Sequence, residues 1–364
     1  MSREDVQQQA LNLALKNNRC GLGVSMGVGK TRIAIQHLQK HFNQLIEVLV
    51  VVPKHSVTQS WIDELGKMGL ESLLKHITFT TYLSLKKKNP NDYDIVYLDE
   101  CHSLLEGHEN FLSNYTGKIL GLTGTPPRKG SDKYRIVNKY CPIIYNFSVD
   151  EAADSDILND YQIIVHKLQL SKLKNHKKKN KNGGFWYTSE LDDYNYFTSR
   201  VGDAQTPKQK QFASIMRMKA MMDYGTKESY AKSLLLNIGQ KCLVFANTQK
   251  QADRMCPHSY HSSNKNSEEN LKLFSDNRIN KMSCVLQLSE GVSIPNLKQG
   301  IIMHAYGNER KTAQRIGRLL RLNPNEKATC HILCYSNSQD VKWVDSALST
   351  FDQDKIKFYN PLNN

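Results

Sequence analysis

The stretch Leu22 to Thr31, LGVSMGVGKT, constrains this chain more than any other. The apolar run Cys20 to Val24 predicts a short buried strand, and Ser25 to Gly29 a glycine-containing turn. After Lys30 and Thr31, RIAIQHLQKHF predicts an amphipathic helix with Ile33, Ile35, Leu38 and Phe42 as its apolar positions. Strand, glycine turn and helix, in that order, suit the binding of an oxyanion. Glycines let backbone N–H groups converge, the helix N-terminus adds its dipole, Lys30 adds a point charge, and the Thr31 hydroxyl suits a divalent cation. Met26, Gly27, Val28, Gly29, Lys30 and Thr31 are therefore candidate phosphate-binding residues. The full phosphate-loop pattern has Gly at position 24, where this chain has Val. Taken alone, the stretch reads equally as an ordinary glycine turn before a helix.

The rest of the chain repeats the alternation. Asp5 to Leu15 predicts a helix. Glu47 to Val52, Ile77 to Tyr82, Asp94 to Glu100 and Ile119 to Thr125 predict strands of a parallel sheet buried on both faces. Asp94 to Glu100 delivers two adjacent carboxylates, Asp99 and Glu100, to the edge at which doubly wound sheets bind ligands. Such a pair suits cation binding by Asp99 and polarisation of a water by Glu100; as an isolated feature it is also a common loop cap. An acidic stretch near residue 150 marks the end of a first domain, 1–150. Residues 151–240 are a less regular linker, partly belonging to the second domain. They hold a predicted strand Tyr161 to Leu170, a lysine-rich run with a Gly-Gly turn, and a helix opened by Thr206 and Pro207 that runs through Phe212, Ile215, Met216, Ala220 and Met221, its Met positions packing a core. Lys177, Lys178 and Lys179 sit either at a solvated hairpin tip or on a nucleic-acid contact or strand-separating wedge. Strands are then expected at Cys242 to Ala246, Cys284 to Leu288, Gly300 to Ala305 and Thr329 to Tyr335, making 241–364 a second domain. In QRIGRLLR, Gln314, Arg318 and Arg321 share one helix face.

A chain of 364 residues is long enough for two domains with their own cores. No run approaches the ~18 apolar residues of a membrane span, and the N-terminus has no apolar signal region, so a cytoplasmic protein without membrane partners is expected. Eight scattered cysteines read as buried thiols of a reducing compartment. Cys256, His258 and His261 could ligate a metal, but no second cluster completes a tetrahedral site. The net charge of +14 suits a polyanionic partner.

In order, these segments resemble the conserved motifs of superfamily 2 helicases and translocases: Gln7; MGVGKT (26–31); VVPKHSVTQSWIDEL (51–65); TTY (80–82); DECH (99–102); TGTPP (123–127); LVFANT (243–248); SEGVSIP (289–295); and QRIGRLLR (314–321). MGVGKT and TTY lean towards Snf2-like translocases, whereas QRIGRLLRLNP leans towards branch-migration and repair helicases. The Lys- and Asn-rich composition is that of an AT-rich genome, such as many phages have. The resemblance implies an α/β fold of two tandem RecA-like domains with a nucleotide cleft between them, plus a small hairpin and helical insertion. It implies ATP and Mg²⁺ as cofactors, with Gln7 on adenine, residues 26–31 on the phosphates, Thr31 and Asp99 on Mg²⁺, and Glu100 as catalytic base. His102, Thr123 and Thr125 would couple hydrolysis to domain movement. Gly291, Gln314, Arg318 and Arg321 would complete the site from the second domain. Pro53, Lys54, Thr81 and Thr248 would contact the nucleic-acid backbone. The implied activity is that of an ATP-dependent DNA helicase or translocase acting on branched, forked or single-stranded DNA rather than RNA.

Overall fold

Val48–Val52 is five consecutive buried Val and Leu residues, a composition that fits only a parallel strand covered on both faces. The computed structural model describes residues 1–43, 45–179, 183–285, 294–305, 312, 315, 327–349 and 351–361. In its first compact unit, Met1–Asp160, this run is β2 of a six-stranded sheet. Its companions are β1 (Arg19–Val24), β3 (Ile77–Thr81), β4 (Ile95–Asp99), β5 (Lys118–Thr123) and β6 (Ile143–Phe147). The order is β3-β2-β4-β5-β1-β6, with every pairing parallel. That order sets the carboxyl ends of β1, β5 and β4 side by side, which positions Val24, Thr123 and Asp99 at one edge. A glycine permits the packing of β1 on β6: a Cβ on Gly21 would lie 2.6 Å from Ile143 Cδ1 and 2.7 Å from the Cys141 carbonyl oxygen.

The described residues from Tyr161 onward form the second unit. Its strands are β7 (Asp160–Leu168), β10 (Cys242–Phe245), β11 (Ser259–Tyr260), β12 (Lys281–Cys284), β13 (Gln299–Ile302), β14 (Lys327–Tyr335) and β15 (Ile356–Tyr359), in the order β11-β12-β10-β13-β14-β7-β15. Pairing is parallel at β11–β12, β12–β10, β10–β13, β13–β14 and β7–β15. One expected strand is displaced: Cys284 to Leu288 was to be a strand, but β12 ends at Cys284, where its register with Phe245 closes, and 286–288 lie outside the described residues. All eight cysteines are free and buried. Among the described residues no helix is long and apolar enough to cross a membrane.

Between β7 and the helix Gly225–Asn237 lies the insertion. It comprises a hairpin of β8 (His176–Lys179) and β9 (Phe185–Thr188) and two packed helices, Glu190–Gly202 and Pro207–Met222. Thr206 and Gln209 cap the second helix reciprocally, with Pro207 in its first turn. Met221 of that helix is buried with Ala220 and Met216 is half-buried, whereas Phe212 is 65% and Ile215 38% exposed. Buried Glu190 fastens the insertion to the domain, accepting from Ser171 N–H at 3.1 Å and from Thr226 N–H at 2.9 Å and hydroxyl at 2.8 Å.

Behind this sheet sits a buried polar cluster. Lys227 Nζ donates to Asp340 Oδ2, to the Met303 carbonyl at 3.1 Å and to His304 Nδ1 at 3.1 Å. Asp340 also accepts from Tyr335 N–H at 2.9 Å. Arg315, fully buried, donates to the His304 carbonyl at 3.0 Å and lies 5.6 Å from the Phe245 ring centroid. Burial first, then the Lys227 and Arg315 charges, push the His304 pKa well below its ordinary value, which leaves Nδ1 free to accept. Removing one partner of a buried ion pair strands the other. Asp340→Ala should therefore lower the stability of this domain by about 3–5 kcal/mol in denaturant unfolding, and Lys227→Met combined with Asp340→Leu should recover most of that loss.

Candidate active site

β1 ends at Val24, and the chain turns through residues 25–29 into the helix Lys30–His41. Gly27 and Gly29 take φ of 90° and 109°, a region side chains resist, and a Cβ on Gly29 would meet Gln7 Nε2 at 2.6 Å. Backbone of this kind forms an anion-holding concavity, and the helix behind it starts at Gly29 without a side-chain cap. Val28 is fully buried, so its carbonyl is fixed; it accepts from Gln7 Nε2 at 2.6 Å and from Arg3 Nε at 3.0 Å. Gln7 is thus tied to the loop backbone. Beside it opens a polar cavity of about 460 Å³ lined by Arg3, Glu4, Gln7, Gln8, Arg32 and Gln36.

Opposite the loop, β4 ends at Asp99. Glu100 follows at φ 52°, ψ 55°, a left-handed conformation uncommon for a residue with a side chain. The turn presents its carboxylate to Lys30, whose Nζ is 2.5 Å from Oε1. Glu100 Oε2 accepts from Gly124 N–H at 3.4 Å and lies 3.3 Å from His102 Nδ1, itself 2.8 Å from Thr123 Oγ1. Thr125 N–H donates to the same Thr123 oxygen at 3.1 Å. Asp99 faces the other way: Oδ2 accepts from Trp61 Nε1 at 2.9 Å, and its carbonyl accepts from the Tyr82 hydroxyl at 2.8 Å.

These surroundings drive the two carboxyls apart. Burial, then the Glu100 charge, pushes Asp99 up to about 6, against the pull of Lys30 and the Trp61 N–H. Burial also works to raise Glu100, but Lys30, His102 and the hydrogen bonds from Lys30 and Gly124 outweigh it and hold that carboxyl below its ordinary value. One carboxylate is firmly ionised and ion-paired; its neighbour is the weaker acid.

The residues fit a magnesium nucleotide. Ser25 Oγ, at the start of the loop, and Thr125 Oγ1 are buried without hydrogen-bond partners, as is Gln36 Oε1 in the cavity beside Gln7. A Cβ at position 124 would stand 3.2 Å from both Lys30 Nζ and Met26 Cγ and would press on the Lys30 ammonium.

The structure therefore gathers Gln7, residues 26–31, Asp99, Glu100, His102, Thr123 and Thr125 at one sheet edge. At the end of β2, Pro53 is half-buried and Lys54 exposed; Thr81 is buried, its hydroxyl donating to Ser84 Oγ at 3.4 Å. In the second unit, Thr248 Oγ1 accepts from Gln251 N–H at 3.1 Å and caps the helix Gln249–Met255. Lys177 and Lys179 are exposed, while Lys178 Nζ lies 2.9 Å from Asp193 Oδ2. Gly291, Gln314, Arg318 and Arg321 lie outside the described residues. His258 and His261 have other partners, Asn270 and Asp253. Sequence reasoning missed Arg3, Gln36, Trp61, Tyr82 and Gly124 as members of the site. Trp61 and Tyr82 fall within the motif segments 51–65 and 80–82, but nothing local marks them as donors to Asp99.

Residues 1–128 match the family described as type III restriction enzyme, res subunit, and residues 226–323 match the helicase conserved C-terminal domain. The chain is 26% identical over 364 aligned residues to the DNA 3'-5' translocase XPB2 of Sulfurisphaera tokodaii, covering 90% of this chain and 81% of that protein. Its fold matches the ATP-dependent Type ISP restriction-modification enzyme LlaBIII bound to DNA (TM-score 0.62, 15% identity), covering 98% of this chain but 31% of that one. It also matches a fragment assigned to the HsdR subunit of a type I restriction enzyme from Vibrio vulnificus (TM-score 0.62, 18% identity, 98% of this chain and 68% of that one). These neighbours show the fold as two RecA-like α/β domains. The two family matches fall in the order of the two domains and, with the translocase relative, make the chain similar to superfamily 2 helicases.

Proposed function

We propose that the chain is an ATP-driven motor that moves along DNA and acts on branched or forked duplexes in replication, recombination or repair, working in the cytoplasm. The observation that carries the reading is the Lys30–Glu100 pair, set between a glycine loop and an Asp99 that is held by Trp61. Bound ATP supplies the phosphoanhydride whose hydrolysis drives the motion, with Mg²⁺ held by Thr31 and Asp99.

The roles of the chain's own residues follow. Lys30 and the loop N–H groups neutralise phosphate charge, while Gln7 and Gln36 offer carboxamides to a base edge. Glu100, firmly ionised, orients and deprotonates the attacking water. His102 joins Glu100 to Thr123, so a change at the carboxylate is felt at the end of β5; Thr125, hydrogen-bonded to Thr123, extends that link. Gly291, Gln314, Arg318 and Arg321 supply the second domain's contribution, the arginines stabilising developing phosphoryl charge. Pro53, Lys54, Thr81, Thr248 and the exposed lysines of the insertion meet the backbone of the nucleic acid, contacts that carry no sequence information and weaken steeply with salt.

A second reading is a duplex translocase that never separates strands. The name of the Sulfurisphaera relative favours it. Strand displacement set beside triplex displacement separates the two readings. ATPase rates with single-stranded DNA, linear duplex, a four-way junction and RNA at one salt concentration test the substrate. Strongest stimulation by the junction supports branch specificity, equal stimulation by plain duplex supports the translocase, and stimulation by RNA alone overturns both.

Lys30→Ala should abolish turnover. Glu100→Gln should cut it at least ~100-fold while nucleotide still binds, as measured by steady-state ATPase beside equilibrium nucleotide binding. Trp61→Phe removes the N–H that fixes Asp99 and, because Trp61 is fully buried, also leaves a cavity that lowers thermal stability. In the variant, still folded at the assay temperature, the Mg²⁺ concentration for half-maximal ATPase should rise about tenfold, and an unchanged Mg²⁺ requirement would reject this role.

A further inference from the structure

Residues 171–222, the insertion, hold eleven Lys and Arg against four Asp and Glu, which is +7 of the chain's +14. The β8–β9 ladder sorts part of this charge by face. Lys177 lies opposite Tyr187 and Lys179 opposite Phe185, so these four share one face; His176, Lys178, Trp186 and Thr188 share the other. The second face is turned to the domain at His176, Lys178 and Thr188, while Trp186 remains 50% exposed. Thr188 is buried, the His176 ring meets Tyr224 edge-on at 5.4 Å between centroids, and Lys178 is spent on Asp193. The first face looks outward: Phe185 and Tyr187 are each 57% exposed, Lys177 and Lys179 are exposed, and Lys177 Nζ stands 3.9 Å from the Phe185 ring centroid.

We propose that this outer face, Phe185 and Tyr187 flanked by Lys177 and Lys179, is a stacking platform for the unpaired bases of a DNA strand. The proposal rests on the nucleic-acid-motor reading above and adds a site to it. Lysines alone would attract any polyanion; the interleaved rings select the occupant. Residues two apart on a strand are about 6.7 Å apart, roughly twice the ~3.4 Å separation of stacked bases, so a single base fits between the two rings. The flanking ammonium groups then lie where the phosphates of that strand run. Such stacking accepts any base, whereas the bases of an intact duplex are already stacked on one another and offer no free face.

Phe185→Leu combined with Tyr187→Leu preserves apolar bulk and removes the π faces. Binding of labelled oligo(dT) and of a blunt duplex, measured by fluorescence anisotropy without nucleotide at one salt concentration, reads the effect. Single-strand affinity should fall about tenfold or more, with duplex affinity, melting temperature and nucleic-acid-free ATPase unchanged. Single-strand affinity equal to that of the parent, or an equal loss on both substrates, overturns the platform. If the parent binds duplex but not oligo(dT), the platform fails and the motor stands; if the parent binds no nucleic acid, the motor reading itself fails. Lys178→Ala checks the face assignment: it should leave oligo(dT) affinity intact, and a loss matching that of Lys177→Ala would refute the sorting by face.

Discussion

The ion pair between Lys30 and Glu100 is the interaction on which the first domain's site depends. It spans two segments far apart in sequence, one following β1 and one following β4, and it is short because both side chains are largely withdrawn from water. A buried carboxylate without a partner would protonate, and a buried ammonium would lose its charge. Lys30 helps hold the Glu100 carboxyl below its ordinary value, and so ionised. An anion seated in the glycine loop gives Lys30 a second partner, which leaves Glu100 charged and freer to engage a water. The structure thus holds Glu100 in the ionised state that the proposed role of base requires.

The sheet order makes that pairing available. β5 separates β4 from β1, so the loop after β5 must pass between the Lys30 and Glu100 ends. Gly124 is the residue that passes, and its lack of a side chain leaves room for Lys30 Nζ while its N–H reaches Glu100. Thr123, one residue earlier, meets His102. One short segment therefore touches both partners' surroundings, as the coupling role proposed for TGTPP requires. Trp61 and Tyr82 perform the complementary task from outside, taking up an Asp99 carboxylate oxygen and its carbonyl so that only part of that residue remains for a cation.

Much of this was legible in the sequence, for chemical reasons. Phosphate binding restricts residue types so tightly that MGVGKT and DECH stand out, and fully buried parallel strands betray themselves as unbroken β-branched runs. β6 and β15 were not foreseen, because both are half-exposed and carry polar residues that mask any periodicity. β12 was displaced because Cys284 to Leu288 is the more apolar window, while the register with β10 selects Lys281–Cys284. The three lysines at 177–179 are equivalent by composition; only pairing with β9 and the position of Asp193 make Lys178 structural and its neighbours outward-facing. Tertiary partners decide such roles, and a local window does not contain them.

The two domains each bury a lysine–carboxylate pair, and the contrast between them separates mechanism from architecture. Lys227 is fully enclosed, donates to a carboxylate, a carbonyl and an imidazole, and so has used its three N–H bonds within the fold. Lys30 has one partner among the described residues and sits among buried acceptors, Ser25 Oγ and Thr125 Oγ1, that have none. A saturated pair can only hold its surroundings in place. An unsaturated pair, bordered by glycines whose positive-φ backbone already has the form of an anion-holding loop, is stable enough to form yet gains by exchanging partners. That difference in hydrogen-bond saturation, more than burial or charge, distinguishes the pair that a reaction can use from the one that only holds the fold.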